Sequence, residues 1–143
     1  MSFLFLSQKA TACEVLGSRK KKSLSLNLRG SLFDPADLSI ISKQLEAFLS
    51  LCATCNVYTI LKVDSDEEEQ RILKALEDCG AFDAGLMRHR VMFCSSQSGA
   101  VAMIRQLQPH AHVENDTWIA EQLSGKIRAV CSAKEGLQVN PKP

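Results

Sequence analysis

Asn56-Val-Tyr-Thr-Ile-Leu-Lys-Val63 is a run of β-branched and apolar residues, and Ser65-Asp-Glu-Glu68 follows within two positions. The run suits a strand buried on both faces. Ser65 and Glu68 stand at the spacing of a capping box, in which a serine hydroxyl and a glutamate three residues on satisfy each other's end of a new helix. Ile72, Leu73, Leu76 and Cys79 then recur at helical spacing, and Gly80 provides a stop. A buried strand passing straight into an amphipathic helix is half of a βαβ unit, the building block of parallel sheets.

The same alternation extends in both directions. Upstream, Ser23-Leu-Ser-Leu-Asn-Leu28 alternates polar and apolar as a strand does. Asp34-Pro35 suits a helix start, with Leu38, Ile41, Leu45, Phe48, Leu49 and Cys52 as its apolar stripe. Downstream, Arg90-Val-Met-Phe-Cys94 is a third strand. Ser95 or Ser96 caps a helix that turns Ala100, Met103, Ile104 and Leu107 inward, and Pro109 breaks it. His110 to Glu114 is a short fourth strand. Asp116 caps a last helix with Ile119, Leu123, Ile127 and Val130 on one face.

Four βα units predict an α/β, Rossmann-like parallel sheet of about four strands with helices on both faces. Right-handed crossovers and a central first strand give the order 3-2-1-4. The expected domain is 23–131, with a flexible leader over 1–22 and a flexible polar tail over 132–143. A ligand crevice belongs at the carboxyl ends of strands one and four, where Arg29-Gly30-Ser31 and Asn115-Asp116 stand.

Composition narrows the function. The chain has 143 residues, one domain's worth, and 45% of them are apolar, enough for a core. Seventeen Lys and Arg against 16 Asp and Glu leave a net charge of +1, too little surplus for a nucleic-acid binder working by charge alone. No apolar run reaches the roughly 20 residues of a membrane span. Phe3-Leu-Phe-Leu6 lacks the cationic flank and length of a signal peptide. The six cysteines, spread from Cys13 to Cys131, read as reduced thiols rather than a disulfide framework.

Several motifs bear on chemistry within that layout. The arrangement resembles haloacid-dehalogenase-type phosphatases, which carry two aspartates, one residue apart, at the end of the first strand. Here those positions are Asn27 and Arg29. Asparagine is no nucleophile, and arginine brings positive charge where a magnesium ion would sit. Glu114 and Asp116 are read as a solvated carboxylate and a helix cap. Gly30 stands without the rest of a dinucleotide-binding loop. Cys52-Ala-Thr-Cys55 falls at a helix carboxyl end, where the dipole raises a thiol's pKa rather than lowering it. Cys52, Cys55, His110 and His112 have zinc-ligand chemistry, but strands two and four are held apart by strand one. Ser31, Ser95 and Ser96 lack a nucleophile elbow, and Gln97-Ser98-Gly99 reads as an ordinary first helical turn. Asp64 to Glu69 is an acidic run that compensates a helix dipole. No catalytic residue, metal or cofactor is expected. Trp118, the single tryptophan, lies off its helix's buried stripe and is a candidate partner anchor, with Lys43 and Glu46 on the first helix as a second candidate surface.

Three stretches, in order, carry a family resemblance: Ala75-Leu-Glu-Asp-Cys-Gly-Ala-Phe-Asp-Ala-Gly-Leu86, Val91-Met-Phe-Cys-Ser-Ser-Gln-Ser-Gly99 and Arg105-Gln-Leu-Gln-Pro-His-Ala-His-Val-Glu114. Together they resemble the cytosolic domain of the plant-type peroxin-22 family, over about Ser23 to Cys131. The resemblance implies a Rossmann-like, non-enzymatic adaptor. Its partner would be the peroxisomal ubiquitin-conjugating enzyme, peroxin-4, which it supports in recycling the import receptor at the cytosolic face of the peroxisome. Family members carry an amino-terminal membrane segment, and this chain is expected to lack it. A hydrolase of haloacid-dehalogenase type with a degenerate or atypical site is the alternative.

Overall fold

A computed structural model describes residues 21–132. Strands β1 (Ser23–Asn27), β2 (Asn56–Lys62), β3 (Val91–Cys94), β4 (Ala111–Val113) and β5 (Val130–Cys131) form one parallel sheet in the order β3-β2-β1-β4-β5. The expected order 3-2-1-4 is embedded in it. Helices α1 (Ser42–Thr54), α2 (Asp66–Asp78) and the short α3 (Ala81–Ala84) cover one face. Helices α4 (Gln97–Leu107) and α5 (Thr117–Leu123) cover the other. All but Lys21 and Lys22 of the expected leader, and all but Ser132 of the expected tail, lie outside the described residues.

The period of two along β1 explains the layering. Leu24, Leu26 and Leu28 are fully buried against α1 and α2, together with Phe48, Leu51, Ile72 and Leu76. The intervening Ser25 and Asn27 point to the α4/α5 side and are buried too. On that side Ile60 joins Ala100, Ile104, Ile119, Leu123 and Ile127 in a smaller apolar cluster. The capping serines act as their spacing requires: Ser65 Oγ accepts from the Glu68 amide at 3.2 Å and Ser96 Oγ from the Gly99 amide at 3.0 Å. Glu68 Oε1 returns the bond one residue early, to the Asp64 amide at 2.9 Å.

The structure corrects three expectations. No helix starts at Asp34. Residues 28–41 form a compact loop in which Asp34 Oδ1 accepts the Ala36 amide, the Asp34 amide bonds the Ser39 carbonyl, and Leu38 takes a positive φ of 59°. The apolar side chains of Leu32, Phe33 and Leu38 pull that loop onto the core, so hydrophobic spacing there reports burial and not a helix. The helix begins at Ser42, and it buries Gln44 while Leu45 and Leu49 are only half-buried.

The last helix does not run through Val130. It ends at Leu123, Gly125 turns the chain at φ +77°, and Ile127 reaches the core from the turn. The chain then enters β5, a fifth strand, held by His112 N–H to the Ala129 carbonyl at 3.0 Å and Glu114 N–H to the Cys131 carbonyl at 2.9 Å. An unpaired edge on a strand as short as β4 leaves backbone groups unsatisfied, and two residues of β5 remove that cost. The third and fourth strands are also trimmed, to Val91–Cys94 and Ala111–Val113.

Two glycines with positive φ make a test. At Gly85 (φ +134°) an added Cβ would lie 2.5 Å from the Cys52 carbonyl oxygen, whereas at Gly80 (φ +90°) it would meet nothing within 4 Å. Gly80→Ala should cost about 1 kcal/mol from backbone strain alone. Gly85→Ala should cost about 3 kcal/mol or more, because α1 and the α3 turn must also separate. Urea unfolding of the two variants in parallel checks the order, and equal midpoints would contradict it.

Candidate functional site

The parallel register places Ser25 opposite His112 and Leu26 opposite Val113, so Asn27 stands beside Glu114. These four polar side chains occupy one face of adjacent central strands and are joined end to end. Glu114 Oε1 lies 2.7 Å from His112 Nε2, and Oε2 accepts from Asn27 Nδ2 at 2.7 Å and from the Asp116 amide at 3.1 Å. His112 Nδ1 is 2.6 Å from Ser25 Oγ. The carboxylate accepts a proton bond from Nε2–H. In the neutral ring, Nδ1 is then left to accept the Ser25 hydroxyl hydrogen. The side chains of His112 and Glu114 are 0% exposed.

This corrects the expectation of a solvated carboxylate at Glu114. A buried carboxylate is tolerable because three donors surround it. The signal was present in the sequence as two i, i+2 polar pairs, Ser25/Asn27 and His112/Glu114. It became legible only once β1 and β4 were known to be neighbours in this register. Although serine, histidine and carboxylate are aligned, the chain does not form a working nucleophile: Ser25 is 0% exposed, beyond the reach of any substrate.

At the carboxyl ends of the strands, the crevice expected between β1 and β4 is closed. Asn115 Nδ2 donates to the Gly30 carbonyl, and a Cβ on Gly30 would lie 2.8 Å from that same nitrogen. The opening sits instead toward β2 and β3, a cavity of about 80 Å³ whose lining includes Asn27, Arg29, Lys62, Cys94, Gln97 and Asp116. Arg29 is not aimed at a ligand there. Its guanidinium donates to the Pro35 and Lys62 carbonyls, at 2.9 Å each, and so clamps the 28–41 loop to the end of β2. Asn27 Oδ1 accepts the Arg29 amide at 3.1 Å. Asp116 caps α5 through Ile119 N–H at 3.1 Å and accepts Gln97 Nε2 at 2.6 Å.

The donor set therefore does not fit the divalent cation that a hydrolase of this layout would use. Both oxygens of Glu114 and both of Asp116 accept protein hydrogen bonds, Asn27 offers no charge, and a fixed guanidinium stands alongside. His112 has no free ring nitrogen for zinc, and among the described residues no cluster of three or more His, Cys, Asp or Glu is placed to hold a metal.

Among the described residues the five thiols are held protonated by their surroundings. Burial pushes the Cys52 thiol up to about 12, with the neighbouring Cys79 and Cys55 adding to it. Burial also raises Cys55, Cys79, Cys94 and Cys131. Thiolate, the reactive form, is correspondingly scarce.

The proposed anchors are separated. Trp118 is 42% exposed in the first turn of α5, off the buried Ile119/Leu123 side. Lys43 and Glu46 are exposed on α1, across the sheet. One flat interface cannot take in both surfaces.

Asn27→Asp would set a second carboxylate against buried Glu114. We expect a loss of about 2–4 kcal/mol near neutral pH, partly recovered as the pH falls to about 5, because like charges at this distance cannot both ionise and one carboxyl takes up a proton. A pH series of thermal midpoints checks this, and an unchanged midpoint would contradict the network. The folded protein should also resist alkylation at Cys52 and Cys131 near neutral pH, with labelling complete only after denaturation, as peptide mass mapping would record.

The comparisons with known proteins agree with this architecture. The family described as "Peroxisome biogenesis protein 22, Haloacid dehydrogenase-like domain" matches residues 29–140. Peroxisome biogenesis protein 22 of Arabidopsis thaliana is 34% identical over 91 residues, covering 63% of this chain and 32% of that protein. The chain thus spans about a third of the length of the curated relative it matches. With the α/β fold in place and most of the chain matched, this protein belongs to the peroxisome biogenesis protein 22 family.

Proposed function

We propose that the chain acts in peroxisome biogenesis as a non-catalytic adaptor. Its partner would be the peroxisomal ubiquitin-conjugating enzyme, which it holds and supports at the cytosolic face of the peroxisome during recycling of the import receptor. The observation that carries this reading is the state of the crevice. Every group a hydrolase would need is committed to holding the fold: Asn27 to Glu114, Arg29 to two carbonyls, Asp116 to its helix and to Gln97. A domain that keeps the frame of an enzyme and uses its polar site as internal bracing retains its surface for work.

On that surface Trp118 is the leading anchor. A tryptophan buried in an interface supplies a large rigid apolar area with one polar handle, and such residues dominate binding energies. Thr117, Glu121 and Gln122 around it are exposed and provide a polar rim. A standard interface of about 800 Å² on each partner would extend from Trp118 over the exposed side of α5. Members of the family that the chain resembles carry an amino-terminal membrane segment. Among the described residues no helix is long and apolar enough to cross a membrane.

Trp118→Ala should leave the thermal midpoint within about 2 °C and weaken binding to the conjugating enzyme by about tenfold or more, a loss of ~1.4 kcal/mol. Calorimetric titration against the purified enzyme checks it. Unchanged affinity would move the interface to Lys43 and Glu46 on α1. A measurable aryl-phosphatase activity in the wild type, abolished by Asp116→Asn, would replace the adaptor reading with the hydrolase alternative.

A further inference from the structure

The charge of this near-neutral chain is sorted along the strand direction. In a parallel sheet all strands start at one end. Beside the 77–90 stretch, whose Glu77, Asp78 and Asp83 offset Arg88 and Arg90, four segments meet there: 21–26, 53–58, 105–113 and 124–132. Backbone and side-chain bonds tie them together. Asn56 N–H donates to the Lys22 carbonyl, His110 N–H to the Ser23 carbonyl, His112 N–H to the Ala129 carbonyl and Gln108 Nε2 to the Lys126 carbonyl. None of the four segments contains an Asp or Glu, and together they carry Lys21, Lys22, Arg105, His110, Lys126 and Arg128. Lys21, Arg105, Lys126 and Arg128 are exposed. The opposite end of the sheet is acidic on balance, with Asp64, Asp66, Glu67, Glu68 and Glu69 after β2 and Asp116 after β4 outnumbering Arg29 and Lys62.

The basic groups are close enough to feel one another. His110 is held below its ordinary value by burial and by the positive charges of Lys22 and Arg128. Arg88 and Arg90, which precede β3, are spoken for: Arg88 lies 3.9 Å from Glu77, and Arg90 lies over the Tyr58 ring. Among the described residues, the positive surface without an ion-pair partner is therefore the β1/β4/β5 part of that end.

We propose that this end of the sheet, presented by Lys21, Lys22, Lys126 and Arg128 with Arg105 beside them, docks on an anionic lipid bilayer. The sequence entering β1 favours this partner over a nucleic acid or an acidic protein. Arg19-Lys20 continues the basic run of Lys21 and Lys22, and Phe3-Leu-Phe-Leu6 lies upstream. A polybasic stretch with apolar residues near it is the chemistry that anionic membrane surfaces attract. Nucleic-acid grooves add aromatic stacking platforms. The one aromatic in these four segments is Tyr58, and Arg90 covers it. Docked this way, the acidic end and Trp118 face away from the bilayer. The inference stands on the charge distribution and does not require the conjugating enzyme.

The test is vesicle co-sedimentation of the whole chain. Vesicles of phosphatidylcholine with ~30% phosphatidylserine should capture it, pure phosphatidylcholine should not, and salt well above physiological strength should release it. Lys126→Glu with Arg128→Glu should weaken capture by about tenfold or more, at an unchanged thermal midpoint. Arg71→Glu with Lys74→Glu, the same charge change on α2, should leave it within about twofold. Equal loss from both double variants would mean that only net charge matters, and full capture by the Lys126/Arg128 variant would mean that the leader alone binds. Either result overturns the proposal, as would tighter binding to a single-stranded RNA than to the anionic vesicles.

Discussion

A single buried carboxyl group organises the centre of this molecule. Glu114 sits at the end of β4 with no solvent contact and accepts from His112, Asn27 and the Asp116 amide. Each donor belongs to a different structural task. His112 extends the network down β4 to Ser25, Asn27 fastens β1 to β4, and the Asp116 amide sets the start of α5. An unpaired carboxylate at this depth would cost several kcal/mol, so these elements must arrive together. The network couples strand register to helix placement, which apolar packing alone does weakly because it is not directional.

The same constraint accounts for the chemistry. In a layout of haloacid-dehalogenase type, the carboxyl ends of β1 and β4 would present acidic groups to a cation and a substrate. Here Asn27 is a donor toward Glu114, and the two form a bond instead of a binding site. Arg29 completes the change by donating to two carbonyls that a loop would otherwise leave bare. Asn115 then seals the β1/β4 crevice against Gly30. A site turned inward in this way stabilises a scaffold, which is the property the proposed adaptor role would require. It also leaves the two ends of the sheet free to differ in charge, with acidic groups at the crevice end and basic groups where the strands begin.

Much of this was legible in the residues. The run Asn56–Val63 followed by a serine cap and an amphipathic stripe determined a buried parallel strand and its covering helix, because period and capping chemistry are local. The order of the four main strands followed from crossover handedness. Asn27 and Arg29, standing where a phosphatase of this layout has an acidic pair, argued against that chemistry from single positions. Tertiary structure decided the rest. Leu38 and Ile41 had helical spacing with the stripe that follows yet folded as a loop, since the core rewards burial whatever the backbone path. Val130 looked like the end of a helix and became part of a strand with Cys131, since the edge of β4 needed a hydrogen-bonding partner. Glu114 looked solvated and was buried, because its three donors are distant in sequence or lie on the backbone. Local pattern specifies which elements form, but the satisfaction of a buried charge depends on which strands become neighbours, and that is settled only when the sheet closes.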